Sequence, residues 1–456
     1  MEQSFDVIIL GGGPGGTASA RTLAEAGKKV ALVEDTHLGG TCLNVGCIPT
    51  KFLLAATAPL GLLQGHKRFG SVSGEIAVDF AALQKRKERF VKGSVQALTK
   101  SLQSLGISLF SGKGVCVAPG QVKVDGGDSA VLHARDIIVA TGSHSASFPG
   151  LTPDGDAVLD STMLLGLQEI PQSLLVIGAG AIGIEFSDFF AAMGSQVTVV
   201  EGMPQLVPTE DADIAEELRK ILQKEGRTCL TGQKVDSVTS CEGQAELRLA
   251  DGQTLTAQKA LIAVGRRANT EGLGVEALGG ALDSRGYAQV DEHLQAAPNA
   301  YAIGDVNGLT LLAHAAEHQG EWVARRILGE VSGSYVSGPV PACVFGRTEI
   351  MRAGKSAKEA LSTSGKVFVS KAPFSVNPIA QAYAASAGFA KAVWVDDRLV
   401  GMAAIGHGAA HLITAAQLLV LEGFSKEELH RFMFAHPTLD EILKSAITAP
   451  REEFLG

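Results

Sequence analysis

The sequence predicts an α/β protein of more than one domain, built on two copies of one strand, glycine turn, helix, strand unit. Three observations carry this. The chain has 456 residues, more than a single hydrophobic core supports, so two to four domains are expected. Residues 6–34 read DVIILGGGPGGTASARTLAEAGKKVALVE: an apolar strand, a glycine turn, an alanine-rich helical segment, then a second strand ending in an acid. Residues 174–201, LLVIGAGAIGIEFSDFFAAMGSQVTVVE, repeat the pattern.

The glycines are Gly11, Gly13 and Gly16 in the first copy and Gly178, Gly180 and Gly183 in the second. The closing acids, Glu34 and Glu201, follow the first glycine by the same 23 positions. In such a unit the first glycine makes the tight turn, the second lets a pyrophosphate approach the backbone, and the third lets helix pack on strand. The helix N-terminus holds the phosphates, and the acid accepts from a ribose hydroxyl. Two complete units point to Rossmann-like dinucleotide binding rather than bare βαβ packing. They suggest one tightly held redox cofactor and one exchanging partner. The residues after Glu201, GMPQLV, offer no cation for a 2′-phosphate, which the carboxylate would repel, so NAD is favoured over NADP.

Composition narrows the classes further. Apolar residues are 46% and charged residues 19%, with no low-complexity tract, which describes a folded chain. A net charge of −9 argues against a nucleic-acid partner. No apolar run of bilayer length is evident, and MEQSFDVIILGGG enters a strand at once, leaving no room for a leader, so no membrane association is expected. Six cysteines in this length are no disulfide framework. Cys116, Cys229, Cys241 and Cys343 stand singly and read as small buried residues in a reducing, cytoplasmic setting.

Cys42 and Cys47 are different, lying together in GGTCLNVGCIPTK. No second pair of ligands accompanies them, so a metal site is not expected. On a regular helix two residues five apart are separated by about 7.5 Å along the axis, so bonding them needs a distorted turn. Asn44 and Gly46 permit one. A strained bridge would be easily reduced, as catalytic bridges are; two buried thiols remain the alternative.

GGTCLNVGCIPTK following a glycine fingerprint resembles the active-site segment of the class I pyridine nucleotide-disulfide oxidoreductases, most of all their dihydrolipoamide dehydrogenase branch. The resemblance extends through ATGS at 140–143, AVGRRANT at 263–270, YAIGDV at 301–306, LLAHAAE at 311–317 and FAHPTLDE at 434–441. It implies that Cys42 and Cys47 form a redox disulfide, Cys42 meeting substrate and Cys47 meeting flavin, with Lys51 and Glu185 as an ion pair beside the flavin. It implies FAD contacts from Gly11, Gly13, Gly16, Glu34, Asp35, Gly40, Thr41, Lys51, Gly114, Thr141, Gly142, Asp305 and Ala313. NAD contacts fall to Gly178, Gly180, Gly183, Glu201, Val235 and Gly265, and Arg266 is a further cofactor contact.

The motif order implies an FAD domain over 1–145, an NAD domain over 146–268, an FAD return segment over 269–335 and an α+β interface domain over 336–456 that forms a homodimer. Exchange needs a thiolate and hence a base. By resemblance this is His436, oriented by Glu441 and acting in the other subunit. The implied reaction oxidises a dithiol, such as a lipoyl group on a carrier protein, and reduces NAD. Three departures fall in the interface domain: Phe434 stands where the family often has histidine, GHGAAH places His407 and His411 where proline and an acid are common, and SVNPIAQA lacks an arginine after its asparagine. Glutathione-type reductases are disfavoured by Glu201, and mercuric reductases by the ending REEFLG. A reductase of another disulfide, or a flavoprotein that binds a lipoylated partner without turnover, remain the alternatives.

Overall fold

The run Val7–Leu10 is fully buried, as expected of a strand covered on both faces. In the computed structural model, which describes residues 2–456, strand Glu2–Leu10 lies parallel between Val30–Glu34 and Ala130–Val139. Ala300–Ala302 continues the sheet in parallel beyond Ala130–Val139. Val7 and Ile9 face a core completed by Leu23 and Val323 of helices Pro14–Glu25 and Ala313–Ile327, whereas Ile8 and Leu10 face Cys116, Val122 and Leu132. Leu10 is level with Val33 and Val139, and Val139 with Ala302. The first glycine turn, Ala140–Ser143 and Gly304–Asp305 therefore leave the sheet at one carboxyl edge, where open parallel sheets bind ligands. These elements form one of two units of the chain, made of Met1–Pro49, Lys85–Ala146 and Gly265–Ser337.

The second unit is Thr50–Gln84, Ser147–Val264 and Gly338–Gly456. Among the described residues it contains a five-stranded parallel sheet in the order Thr228–Thr231, Gln196–Glu201, Ser173–Ile177, Lys259–Ile262, Val158–Leu159. Helix Ala181–Ala192 buries Ile184, Phe186, Phe189 and Phe190 against it. A six-stranded antiparallel sheet follows, centred on Phe389–Val395 and Arg398–Gly406. Helices Ile413–Glu422 and Glu441–Thr448 bury Ala416, Leu419, Ile442, Leu443 and Ala446 in the core that this sheet shares. Two Rossmann-like sheets and a C-terminal α+β region match the fold class the sequence predicts.

Two expectations need correction. Cys241 is exposed, because it ends the edge strand Val235–Cys241 at a tight turn beyond the packed face, and Cys229 and Cys343 are only partly buried. Cys116 is fully buried, and burial pushes its thiol up to about 12. Helical residues 40–68, moreover, are long and apolar enough by length and composition alone to cross a membrane. Thr, Gly and Pro interrupt its leucines, so no continuous apolar run marks it in the sequence. Leu53 and Leu54 lie in the core of the second unit, and one helix of this kind is weak evidence for a membrane span.

Candidate active site

The two glycine turns are atomic counterparts. Gly11 and Gly178 have φ of +104° and +98°, and a Cβ on either would lie 2.3 Å from the carbonyl of the residue just past a strand, Ala140 or Ala263. A Cβ on Gly16 or Gly183 would meet the carbonyl of Gly11 or Gly178 at 1.9 or 2.0 Å, so the third glycine is required by helix-on-turn packing. The second glycines differ: nothing lies within 4 Å of a Cβ on Gly180, and Gly13 meets only Gly40 Cα at 4.0 Å. These are open cradles. Gly13 and Gly180 are also the N-caps of 12-residue helices that, among the described residues, have no side-chain cap, as a pyrophosphate requires.

The acids hold the turns as well. Glu34 Oε2 accepts from Gly12 N at 2.6 Å, and Oε1 accepts from Thr36 N at 2.9 Å. Glu201 repeats this with Ala179 N at 2.7 Å and Met203 N at 2.8 Å. Each carboxylate keeps further lone pairs for a ribose hydroxyl. Asp35, next to Glu34, is exposed.

The cysteine segment is joined to the first turn. Gly39 N donates to Gly12 O at 2.7 Å, and a Cβ on Gly40 would lie 2.8 Å from Gly13 Cα. Helix Gly40–Val45 carries Thr41 and Cys42 and stops at Gly46 (φ −140°, ψ −116°); helix Cys47–Arg68 then starts afresh. Asn44 Nδ2 donates to the carbonyls of Leu38 and Gly40 at 3.0 and 2.9 Å, which holds the short helix. Cys42 is half-buried and Cys47 exposed. One turn beyond Cys47 comes Lys51.

Within the second unit Lys51 Nζ reaches both oxygens of Glu185 at 2.8 Å and sits 4.6 Å over the Phe345 ring. Glu185 is 5% exposed in its side chain and Lys51 33%. Burial drives the Glu185 carboxyl upward, opposed by Lys51 and by the Phe345 amide, which donates at 3.2 Å.

At the carboxyl edge of the first sheet, Asp305 accepts from Ser143 Oγ, to which Arg266 Nε donates at 2.7 Å. Arg266 also stands 3.6 Å from Asp305. Thr141 and Asn269 exchange hydrogen bonds at 2.8 Å, and Asn269 N donates to Gly142 O at 3.0 Å. Gln319 Oε1, buried, accepts from Gly304 N at 2.7 Å and Asn307 Nδ2 at 2.9 Å, shaping the turn that bears Asp305. Ser143, Asn269 and Gln319 were not singled out from sequence, although the first two lie inside quoted motifs. Ala313 opens a 15-residue helix without a side-chain cap. Gly114 has a packing reason of its own, since a Cβ there would lie 2.6 Å from Leu10 Cδ2. Gly265 has φ +123° and accepts from Ala146 N, and Val235 opens an edge strand of the second unit, half-buried.

His436 Nδ1 lies 3.1 Å from both oxygens of Glu441. Facing a carboxylate, Nδ1 is the donor, which leaves Nε2 as the basic nitrogen. The imidazole is 73% exposed. Thr438 N donates to Glu441 Oε2 at 3.1 Å, and this bond, before that of His436, holds the carboxyl below its usual range. Phe434 packs on the C-terminal core. His407 stands edge-on to Tyr383, and burial, then the neighbouring His411, push its imidazole down.

Residues 5–320 match the model of the pyridine nucleotide-disulphide oxidoreductases, and residues 340–447 that of their dimerisation domain. Dihydrolipoyl dehydrogenase of Chlorobaculum tepidum is 36% identical over 98% of this chain and 97% of its own. That of Bacillus subtilis is 34% identical over 98% of each. Among solved structures, LpdA of Mycobacterium tuberculosis superposes with a TM-score of 0.89 at 27% identity, covering 97% of this chain and 99% of its own. The HOCl-induced flavoprotein disulfide reductase RclA of Escherichia coli gives 0.86 at 30%, with the same coverage.

Proposed function

The chain belongs to the pyridine nucleotide-disulphide oxidoreductase family, and from that premise we propose that it oxidises a dithiol, the lipoyl group of a carrier protein, with NAD+ as acceptor. It is a flavin-dependent disulfide oxidoreductase that uses FAD and NAD. The residues fit both cofactors: two glycine turns have open second positions, uncapped helix N-termini and a carboxylate at the strand end. The reading assigns FAD to residues 1–145 with the return segment 269–335, NAD to 146–268, and the homodimer contact to 336–456. It sets the enzyme in the cytoplasm, where an exposed cysteine such as Cys241 stays reduced.

The observation that carries the reading is the junction of the cysteine segment with the first glycine turn, with the helix interrupted at Gly46 between Cys42 and Cys47. His436 Nε2 takes a proton from one substrate thiol, and Glu441 stabilises the charged imidazole. The substrate thiolate attacks Cys42 Sγ, the Cys42–Cys47 bond breaks, and Cys47 leaves as a thiolate. The second substrate thiol then displaces Cys42 and its proton passes to the departing Cys42 sulfur, so the substrate departs as a disulfide and the enzyme holds Cys42 as thiol, Cys47 as thiolate and the first proton on His436. FAD, held by Gly11, Gly13, Gly16 and Glu34, would supply a two-electron carrier between that reduced cysteine pair and NAD+. Lys51, held by Glu185, supplies the cation that favours negative charge there.

Cys42→Ser and Cys47→Ser should each abolish NADH formation from dihydrolipoamide while FAD stays bound; turnover in either variant would overturn the mechanism. Similarity to RclA favours a second reading, a reductase of another disulfide. Faster NADH-driven reduction of a non-lipoyl disulfide than oxidation of dihydrolipoamide would select it.

A further inference from the structure

The motif SVNPIAQA has no task in the chemistry above, yet its asparagine is 3% exposed. Asn377 caps helix Pro378–Ala382: Oδ1 accepts from Ile379 N at 2.9 Å and Ala380 N at 3.1 Å. Pro378 at the first helical position has no amide to satisfy, so one oxygen serves the two amides that follow. The donor half of the same side chain points elsewhere. Nδ2 reaches the carbonyls of Thr438 at 3.0 Å and Leu439 at 3.5 Å, 61 and 62 residues away.

Those carbonyls belong to the segment joining His436 to Glu441. Thr438 is tied from its other side as well, since its amide donates to Glu441 and its hydroxyl donates to Ala435 O at 2.8 Å. Leu439 fills the space that a Cβ on Gly408 would need, 2.7 Å from its Cδ2. The backbone beneath an exposed imidazole is thus fixed by a buried amide. An apolar contact would hold the segment near the core, but only a directional donor sets the rotation of its peptide planes.

We propose that Asn377 is a positioning residue for the base: its amide donor locks the 438–439 peptides, and through them the alignment of His436 with Glu441. This rests on the reading of His436 as the base. A reacting group displaced by about 1 Å costs on the order of a hundredfold in rate. The lack of an arginine after the asparagine leaves this function intact, because the cap and the donor both reside in Asn377 itself.

Two variants separate cap from lock. Asn377→Ser keeps an oxygen that caps the helix but is too short to reach Thr438; Asn377→Asp keeps the reach and the cap but offers an acceptor where a donor is needed. In the FAD-loaded full-length enzyme, kcat with dihydrolipoamide should fall at least about tenfold in both variants. KM should change little. NADH oxidation by ferricyanide, an acceptor that needs no thiol base, should stay within about twofold. The proposal is overturned if dithiol kcat stays within about twofold in either variant, if both activities fall in parallel, or if neither variant folds, since each outcome makes the residue merely structural. His436→Gln, run alongside, isolates the premise: full dithiol turnover in that variant would remove the base itself, whatever Asn377 does.

Discussion

At the scale of the residue, Glu185 is a carboxyl only 5% exposed, held by the Lys51 cation. Burial raises its carboxyl, so the folded chain binds more protons than the unfolded one as pH rises above the ordinary carboxylate range. Stability therefore falls as pH rises through the window between its unfolded and folded values. Lys51 opposes that loss. Lys51→Met should destabilise the protein little where Glu185 is protonated in both forms, and increasingly as pH rises. Breaking a buried pair costs ~3–5 kcal/mol, and the partial exposure of Lys51 sets the expectation at or below the lower end. Denaturant midpoints compared at about pH 4 and about pH 8 check the sign: a loss that is equal at both, or larger at the acid end, contradicts this account of the pair.

At the scale of the element, the helix break at Gly46 decides where the cysteines lie. A Cβ there would stand 2.8 Å from Thr41 O and 3.2 Å from Thr41 Cγ2, and a backbone carbonyl cannot swing aside as a side chain can. Gly46→Ala should cost ~1–3 kcal/mol through that overpacking and slow formation of the proposed Cys42–Cys47 bond, read by thiol titration of the purified variant. Wild-type thiol counts and melting temperature would show that the turn has slack. The break was legible in sequence because five residues of regular helix are too long for a disulfide and Asn44 and Gly46 are the residues that allow another path. Ser143, Gln319 and Asn377 were not legible. Each acts on a residue that the chain brings near only by folding, such as Asp305 for Ser143 and Thr438 for Asn377, and no local period records such pairs.

At the scale of the whole molecule, the two nucleotide units were readable to the individual glycine, since their spacing is a local steric rule. The dimerisation region was readable from its motifs, but which of its faces meets another copy was not, because an exposed leucine has no sequence signature. Helix Ile413–Glu422 buries Ala416, Leu419 and Val420 and leaves Leu418 and Leu421 57% and 59% exposed on its other side, within the stretch that matches the dimerisation domain. In a twofold interface every substitution occurs twice. If Leu421 is a central contact worth ~2 kcal/mol, Leu421→Asp costs the dimer ~4 kcal/mol, close to a thousandfold in dissociation constant. Sedimentation velocity at micromolar protein should then show monomers that still oxidise NADH with ferricyanide but have lost dithiol turnover, because the proposed base would have no partner active site to serve. A variant that stays dimeric would move the interface off this helix. A monomer with full dithiol activity would mean that each His436 serves the cysteines of its own chain.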